Sequence, residues 1–128
     1  MAKILVLDDV ADAVNAITRI LTKKGHAVAG FTEEDDAFTY AQEHKVDLAI
    51  LDVKLKKMSG VQALQKLKKM QPDIKAIMLT GYPGLDTAAQ SFESGAHEYC
   101  VKPIDRDELE MKVSVVLAGL KNREDVGD

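Results

Sequence analysis

Five polar residues stand out by type and by what precedes them. Asp8 and Asp9 follow the apolar run Ile4–Leu7, and Asp52 follows Leu48-Ala49-Ile50-Leu51. Thr80, with Gly81 behind it, follows Ile77-Met78-Leu79, and Lys102, with Pro103 behind it, follows Glu98–Val101. Gathered in one place, three carboxylates, a hydroxyl and an ammonium suit a particular chemistry. Clustered carboxylates repel one another unless a cation sits among them. An all-oxygen set suits a hard ion, and Mg²⁺ typically takes one or two carboxylates and fills its other positions with water and phosphate oxygens. Lys102 adds a second positive charge, and phosphoryl transfer is catalysed mainly by positioning and charge neutralisation. A carboxylate can also be the nucleophile and become an aspartyl phosphate. Asp52, alone at the end of an apolar run, is the candidate acceptor. Thr80 could donate a hydrogen bond to the new phosphoryl group, and Gly81 would leave it room. Taken singly each has a plain use: a helix cap for Asp8-Asp9, a turn for Asp52 or Thr80-Gly81, a surface dipeptide for Lys102-Pro103. The joint placement carries the reading.

The elements that must position these residues alternate two periodicities. Apolar runs at Ile4–Leu7, Ala27–Phe31, Asp47–Leu51, Ile74–Leu79 and Glu98–Val101 read as strands. The first, third and fourth are apolar nearly throughout, as strands covered on both faces are, while the second and fifth suit edges. Between them lie helical spacings: Val10, Val14, Ile17 and Leu21; then Val61, Leu64 and Leu67; then Leu109, Val113, Val116, Leu117 and Leu120. Gly25 and Gly95 close helices, and Thr32 with Asp35, Ser59 with Gln62 and Asp105 with Glu108 resemble capping boxes, strictest at Ser59. Strands alternating with helices predict an α/β fold, (βα)5, with a doubly wound five-stranded parallel sheet and helices on both faces. In such a sheet ligands bind beyond the carboxyl ends of the strands, where all five polar residues fall.

Composition removes several alternatives. The chain has 128 residues, a single-domain length, with 17 Lys and Arg against 21 Asp and Glu, net −4. That balance argues against a nucleic-acid or anionic-membrane surface as the main partner. The lone Cys100 excludes an internal disulfide framework and a multi-cysteine metal site and reads as a small core hydrophobe. No apolar run approaches the roughly 20 residues of a membrane span, and the apolar start is too short for a secretory signal. A reduced, cytoplasmic domain is expected. His26, His44 and His97 lack ligand spacing and read as surface residues. Glu33–Asp36 reads as a solvated, dipole-favoured first helical turn. Lys54, Lys56, Lys57, Lys66, Lys68 and Lys69 read as a solvated basic strip, with docking to an acidic partner as the lesser alternative.

With these residues in place, the sequence resembles the receiver domain of two-component response regulators over about residues 3–120. The resemblance rests on Leu7-Asp8-Asp9, Leu51-Asp52-Val53 with Met58-Ser59-Gly60 downstream, Thr80-Gly81 and Lys102-Pro103. It implies the flavodoxin-like strand order 2-1-3-4-5, a receiver domain over 1–121 and a polar tail over 122–128. It implies that Asp52 accepts a phosphoryl group from a sensor histidine kinase or a histidine phosphotransfer protein. Mg²⁺ would be held by Asp8, Asp9, Asp52 and the backbone carbonyl of Lys54. Lys102 would pair with the phosphoryl oxygens, across a cis Lys102–Pro103 peptide. Thr80 and Tyr99 would be the switch residues, and the fourth helix, fifth strand and fifth helix the face offered to a downstream target protein. Beyond self-phosphorylation from a donor and autodephosphorylation no enzyme activity is implied, nor any direct contact with nucleic acid or membrane.

Two departures from the family pattern stand out. Lys56 occupies a position where many relatives have proline, so the loop lacks a fixed φ and is expected to be more mobile. Lys54 and Tyr82 occupy positions that tune hydrolysis of the acyl phosphate in relatives, and a bulky Tyr82 is expected to hinder the attacking water. The favoured reading is a stand-alone receiver, with Met1 and the lack of a linker leaning toward a complete chain. A small Mg²⁺-dependent aspartyl-phosphate phosphatase is the alternative, opposed by Lys54, where such enzymes need a second aspartate. A pseudo-receiver serving only as an interaction module is the third.

Overall fold

The computed structural model describes residues 2–81 and 84–126. Tyr82 lies outside them. In chain order the elements are β1 (Lys3–Leu7), α1 (Ala11–Lys23), β2 (Ala27–Phe31), α2 (Glu34–Glu43), β3 (Leu48–Asp52), α3 (Gly60–Met70), β4 (Lys75–Thr80), α4 (Leu85–Glu93), β5 (Glu98–Val101) and α5 (Arg106–Val126). The strands form one parallel sheet in the order β2-β1-β3-β4-β5, which puts the two less apolar strands at the edges as expected.

The alternation of side chains along each strand builds two cores. Leu5 and Leu7, Ala49 and Leu51, and Ala76 and Met78 face α2 and α3, where they meet Ala37, Phe38, Ala41, Ala63, Leu64 and Leu67. Ile4 and Val6, Leu48 and Ile50, and Ile77 and Leu79 face α1 and α5, where they meet Val14, Ile17, Leu21, Leu109, Val113 and Val116. Period two in the strands and period 3.6 in the helices thus resolve into three layers.

The register fixes the site. Leu7 pairs with Leu51, so Asp8 and Asp52 lie level at the ends of adjacent strands. Asp52 pairs with Leu79, and Thr80 with Val101, so Thr80 and then Lys102 follow as a stair across the sheet edge.

Several local expectations hold and others shift. Ser59 caps α3 with a full capping box: Gln62 N–H donates to its hydroxyl and Gln62 Oε1 accepts from its N–H. Asp105 accepts from Glu108 N–H at 3.0 Å. Gly25 and Gly95 take φ of 90° and 102°, the left-handed turn that ends a helix most cheaply without a side chain. The box expected at Thr32 and Asp35 is absent. The extended residue that precedes α2 is Glu33 and not Thr32, it makes no side-chain cap, and the Asp35 side chain pairs with Lys57. Val10 does not join the core; it precedes α1 in extended conformation and is 51% exposed. The backbone of α5 runs on to Val126, through residues of ordinary helix propensity. No described helix is long and apolar enough to cross a membrane.

Candidate functional site

Each carboxylate is set by its own backbone. Asp8 is fully buried, and its Oδ1 accepts the N–H of Val10 at 2.9 Å. Asp52 is buried, and its Oδ1 accepts the N–H of Lys54 at 3.1 Å. An aspartate holding the N–H two residues on is the Asx turn that suits a chain leaving a strand. Both turns leave Oδ2 free to face the same cation. Lys102 Nζ lies 2.7 Å from Asp8 Oδ2 and 3.0 Å from Asp52 Oδ2. Half-buried Asp9 completes the cluster, with one carboxylate oxygen from each aspartate within 4.8 Å of the others.

Lys102 is held from behind. Its N–H donates to Thr80 O at 2.7 Å, and the Lys102–Pro103 peptide is cis, as the resemblance implies. Burial by itself would lower the lysine pKa, but the Asp8 and Asp52 carboxylates outweigh it and raise it above its ordinary value. The ammonium is therefore charged at neutral pH. Thr80 is buried at the end of β4. Tyr99 is half-buried in β5, next to Phe92 at 6.5 Å between ring centres. Its buried hydroxyl has no hydrogen-bond partner among the described residues.

The donor set fits a hard divalent cation. Three carboxylates converge, and the Lys102 ammonium pairs with two of them, Asp8 and Asp52. Asp8 Oδ2 is buried, and the contact it shows among the described residues is the Lys102 ammonium at 2.7 Å, which it shares with Asp52. An anionic oxygen left in this state is stabilised by a second cation.

The loop after Asp52 departs from expectation. The acids Glu33–Asp36 at the start of α2 are not all solvated: Glu34 is fully buried, and its Oε2 accepts the Lys57 backbone N–H. Glu33 pairs with Lys56 at 2.8 Å and Asp35 with Lys57 at 3.0 Å. Sequence reasoning passed over Glu34 because an acidic first turn usually serves the helix dipole. The available signal was the opposite-charge match with Lys56-Lys57, across a chain separation that local rules do not cover. The basic strip is correspondingly less free: Lys66 lies over the Phe38 ring at 4.4 Å and Lys68 donates to Ile74 O at 3.3 Å. His44 and His97 are exposed, while His26 is half-buried and accepts from Ala2 N–H. Cys100 is buried, as expected.

A family model described as the response regulator receiver domain matches residues 4–114. Among curated proteins, the chain is 32% identical over 115 residues to the transcriptional regulatory protein ZraR of Klebsiella oxytoca, covering 90% of this chain and 26% of that protein. It is 33% identical over 121 residues to the DNA-binding transcriptional regulator NtrC of Azospirillum brasilense, covering 94% and 24%. The chain thus spans about a quarter of the length of these relatives. Among solved structures, a CheY-like response regulator receiver domain protein from Methanospirillum hungatei JF-1 aligns with a TM-score of 0.89 at 28% identity, covering 96% of this chain and 98% of that one.

Proposed function

We propose, since this chain belongs to the response regulator receiver domain family, that it is a phosphorylation-operated switch with Asp52 as the phosphoryl acceptor. The observation that carries this is the shared cation: Lys102 holds Oδ2 of both Asp8 and Asp52, beside a third carboxylate, at the ends of adjacent strands. The receiver is taken to occupy 1–121, with residues after it as a tail.

Asp8, Asp9, Asp52 and the Lys54 carbonyl are the residues that would hold Mg²⁺. Bound there, it would supply neutralisation of the charge on the transferring group. The chain's own residues do the rest. The Asx turn at Asp52 ties Oδ1 to Lys54 N–H and leaves Oδ2, beside Lys102, as the nucleophile. Oδ2 forms a bond to phosphorus as the bond from phosphorus to the donor histidine nitrogen breaks, and the imidazole leaves with that electron pair. Lys102, displaced from its pairing with Asp52 as that carboxylate becomes an acyl phosphate, keeps its charge for the phosphoryl oxygens. Thr80 donates its hydroxyl to the phosphoryl group. Its backbone oxygen is already tied to Lys102 and its strand to β5, so the move is coupled to Tyr99.

The message then leaves through α4, β5 and α5. These elements carry the exposed apolar residues Phe92, Val101, Met111 and Val115, and a partner that prefers the phosphorylated conformer shifts the population toward it. The donor is a sensor histidine kinase or phosphotransfer protein in the cytoplasm, and the target is a protein. No observation favours the phosphatase or pseudo-receiver alternatives, and Lys54 stands against the first.

The test is a beryllofluoride titration with Mg²⁺, followed by amide NMR. Saturable shifts at Asp52, Thr80 and Tyr99 that extend to α4 and α5, and vanish in Asp52→Asn, are expected. Shifts confined to exposed acidic residues would overturn the reading.

A further inference from the structure

Glu34, the first residue of α2, is fully buried, yet none of the steps above uses it. Its Oε2 accepts the Lys57 backbone N–H, and its Oε1 has no hydrogen-bond partner among the described residues. Burying a carboxylate that is only half satisfied is costly, so an uncharged side chain would pack here more cheaply. Its neighbours act in the same direction: Glu33 takes the Lys56 ammonium at 2.8 Å and Asp35 the Lys57 ammonium at 3.0 Å. Three consecutive acids therefore grip two consecutive residues of the loop 53–59 that joins β3 to α3.

That loop is anchored at its ends by Val53 N–H on Leu79 O at 2.8 Å and Gly60 N–H on Val53 O at 2.7 Å. Lys54, bridged to Ser59, lies between these anchors. Its N–H fixes Asp52 Oδ1, and Lys57 stands three residues further on. The middle of the loop has lysine at position 56 and so lacks the fixed φ of a proline.

We propose that Glu34 is a positioning residue for the phosphorylation site. Its buried carboxylate fixes Lys57, and through it the loop shape that presents the Lys54 carbonyl beside Asp52. This takes over the constraint that a proline at position 56 would have given. The inference rests on the Mg²⁺-site reading above and deepens it.

Two measurements on the same samples test it: amide hydrogen exchange of the metal-free protein, and Mg²⁺ titration followed by amide shifts. Glu34→Ala should speed exchange at Lys57 and adjoining loop amides while leaving β1 and β4 amides unchanged. It should also weaken Mg²⁺ binding about tenfold, the low end for loss of a group supporting a metal ligand. Glu34→Gln retains an oxygen acceptor in the same place and should stay within about threefold of wild type. Loop exchange and Mg²⁺ affinity of Glu34→Ala equal to wild type would overturn the proposal alone. So would a disturbance reaching β1 and β4, which would make Glu34 a packing residue. Wild type that binds no Mg²⁺ would overturn the site reading, and this proposal with it.

Discussion

Removing the Lys102 charge should destabilise the metal-free protein in a way that a divalent cation repairs. In Lys102→Met the aliphatic stem remains, but the Oδ2 atoms of Asp8 and Asp52 lose the ammonium at 2.7 and 3.0 Å. At an effective dielectric of about 20, each attraction is worth roughly 5–6 kcal/mol before desolvation is counted. Much of that is offset by the cost of burying the ions, and breaking a buried pair typically loses about 3–5 kcal/mol. Lys102 keeps 21% of its side chain in water, which screens the pair. The expected loss is therefore about 2–3 kcal/mol. Urea unfolding in EDTA, followed by circular dichroism, measures it. Two companion results follow from the same geometry. Adding Asp52→Asn to Lys102→Met removes one of the two abandoned charges and should recover about 1 kcal/mol. Mg²⁺ at about ten times its dissociation constant should add about 1.4 kcal/mol to the variant. A Lys102→Met protein within about 0.5 kcal/mol of wild type, or further weakened by Asp52→Asn, would refute the reasoning.

Other perturbations give sharp expectations. A methyl group at Gly60 would collide with the backbone oxygen of Asp52 and come within 2.8 Å of Met78 Cε, so Gly60→Ala should cost about 1–3 kcal/mol in urea unfolding and disturb the Asp52 amide shift; an unperturbed variant would contradict the close approach. Burial pushes the Cys100 thiol up to about 11. Its neutral form therefore stabilises the fold fully below the unfolded thiol value, near 8.5, and that contribution is lost as pH rises toward 11. A thiol reagent at pH 8 should modify Cys100 only as fast as the protein opens, and immediate reaction in native protein would refute its burial. The exposed pairs Glu33–Lys56 and Asp35–Lys57 should respond to salt. Exchange at the Lys56 and Lys57 amides should quicken from low to high ionic strength, while that of Leu5 and Ile50 stays constant; equal exchange at both salts would contradict a role for the outer pairs.

The sheet and the aspartate–threonine–lysine set were legible in the sequence because parallel strands buried on both faces write continuous apolar runs. Each such run ends where its polar residue begins, as at Leu51-Asp52 and Leu79-Thr80. The capping box at Ser59 was legible because it is complete within four residues. What escaped depends on contacts distant in sequence. Val10 fits the helical spacing of Val14 and Ile17, yet it lies before the helix starts, where spacing no longer decides the direction of a side chain. Glu34 sits in a row of four acids, Glu33 to Asp36, and only the approach of the loop after β3 distinguishes it. The same approach pairs Asp35 with Lys57, and it supplies ties around Lys56 where the missing proline suggested only looseness.

The central claim is that Asp52 takes up a phosphoryl group in a reaction that needs a divalent cation. Incubation with acetyl phosphate and Mg²⁺, followed by intact-mass measurement and peptide mapping, tests it directly. One phosphoryl group located on Asp52, absent in EDTA and absent in Asp52→Asn, is the predicted result. A wild-type protein that remains unmodified, or modification that persists unchanged in Asp52→Asn, would contradict it.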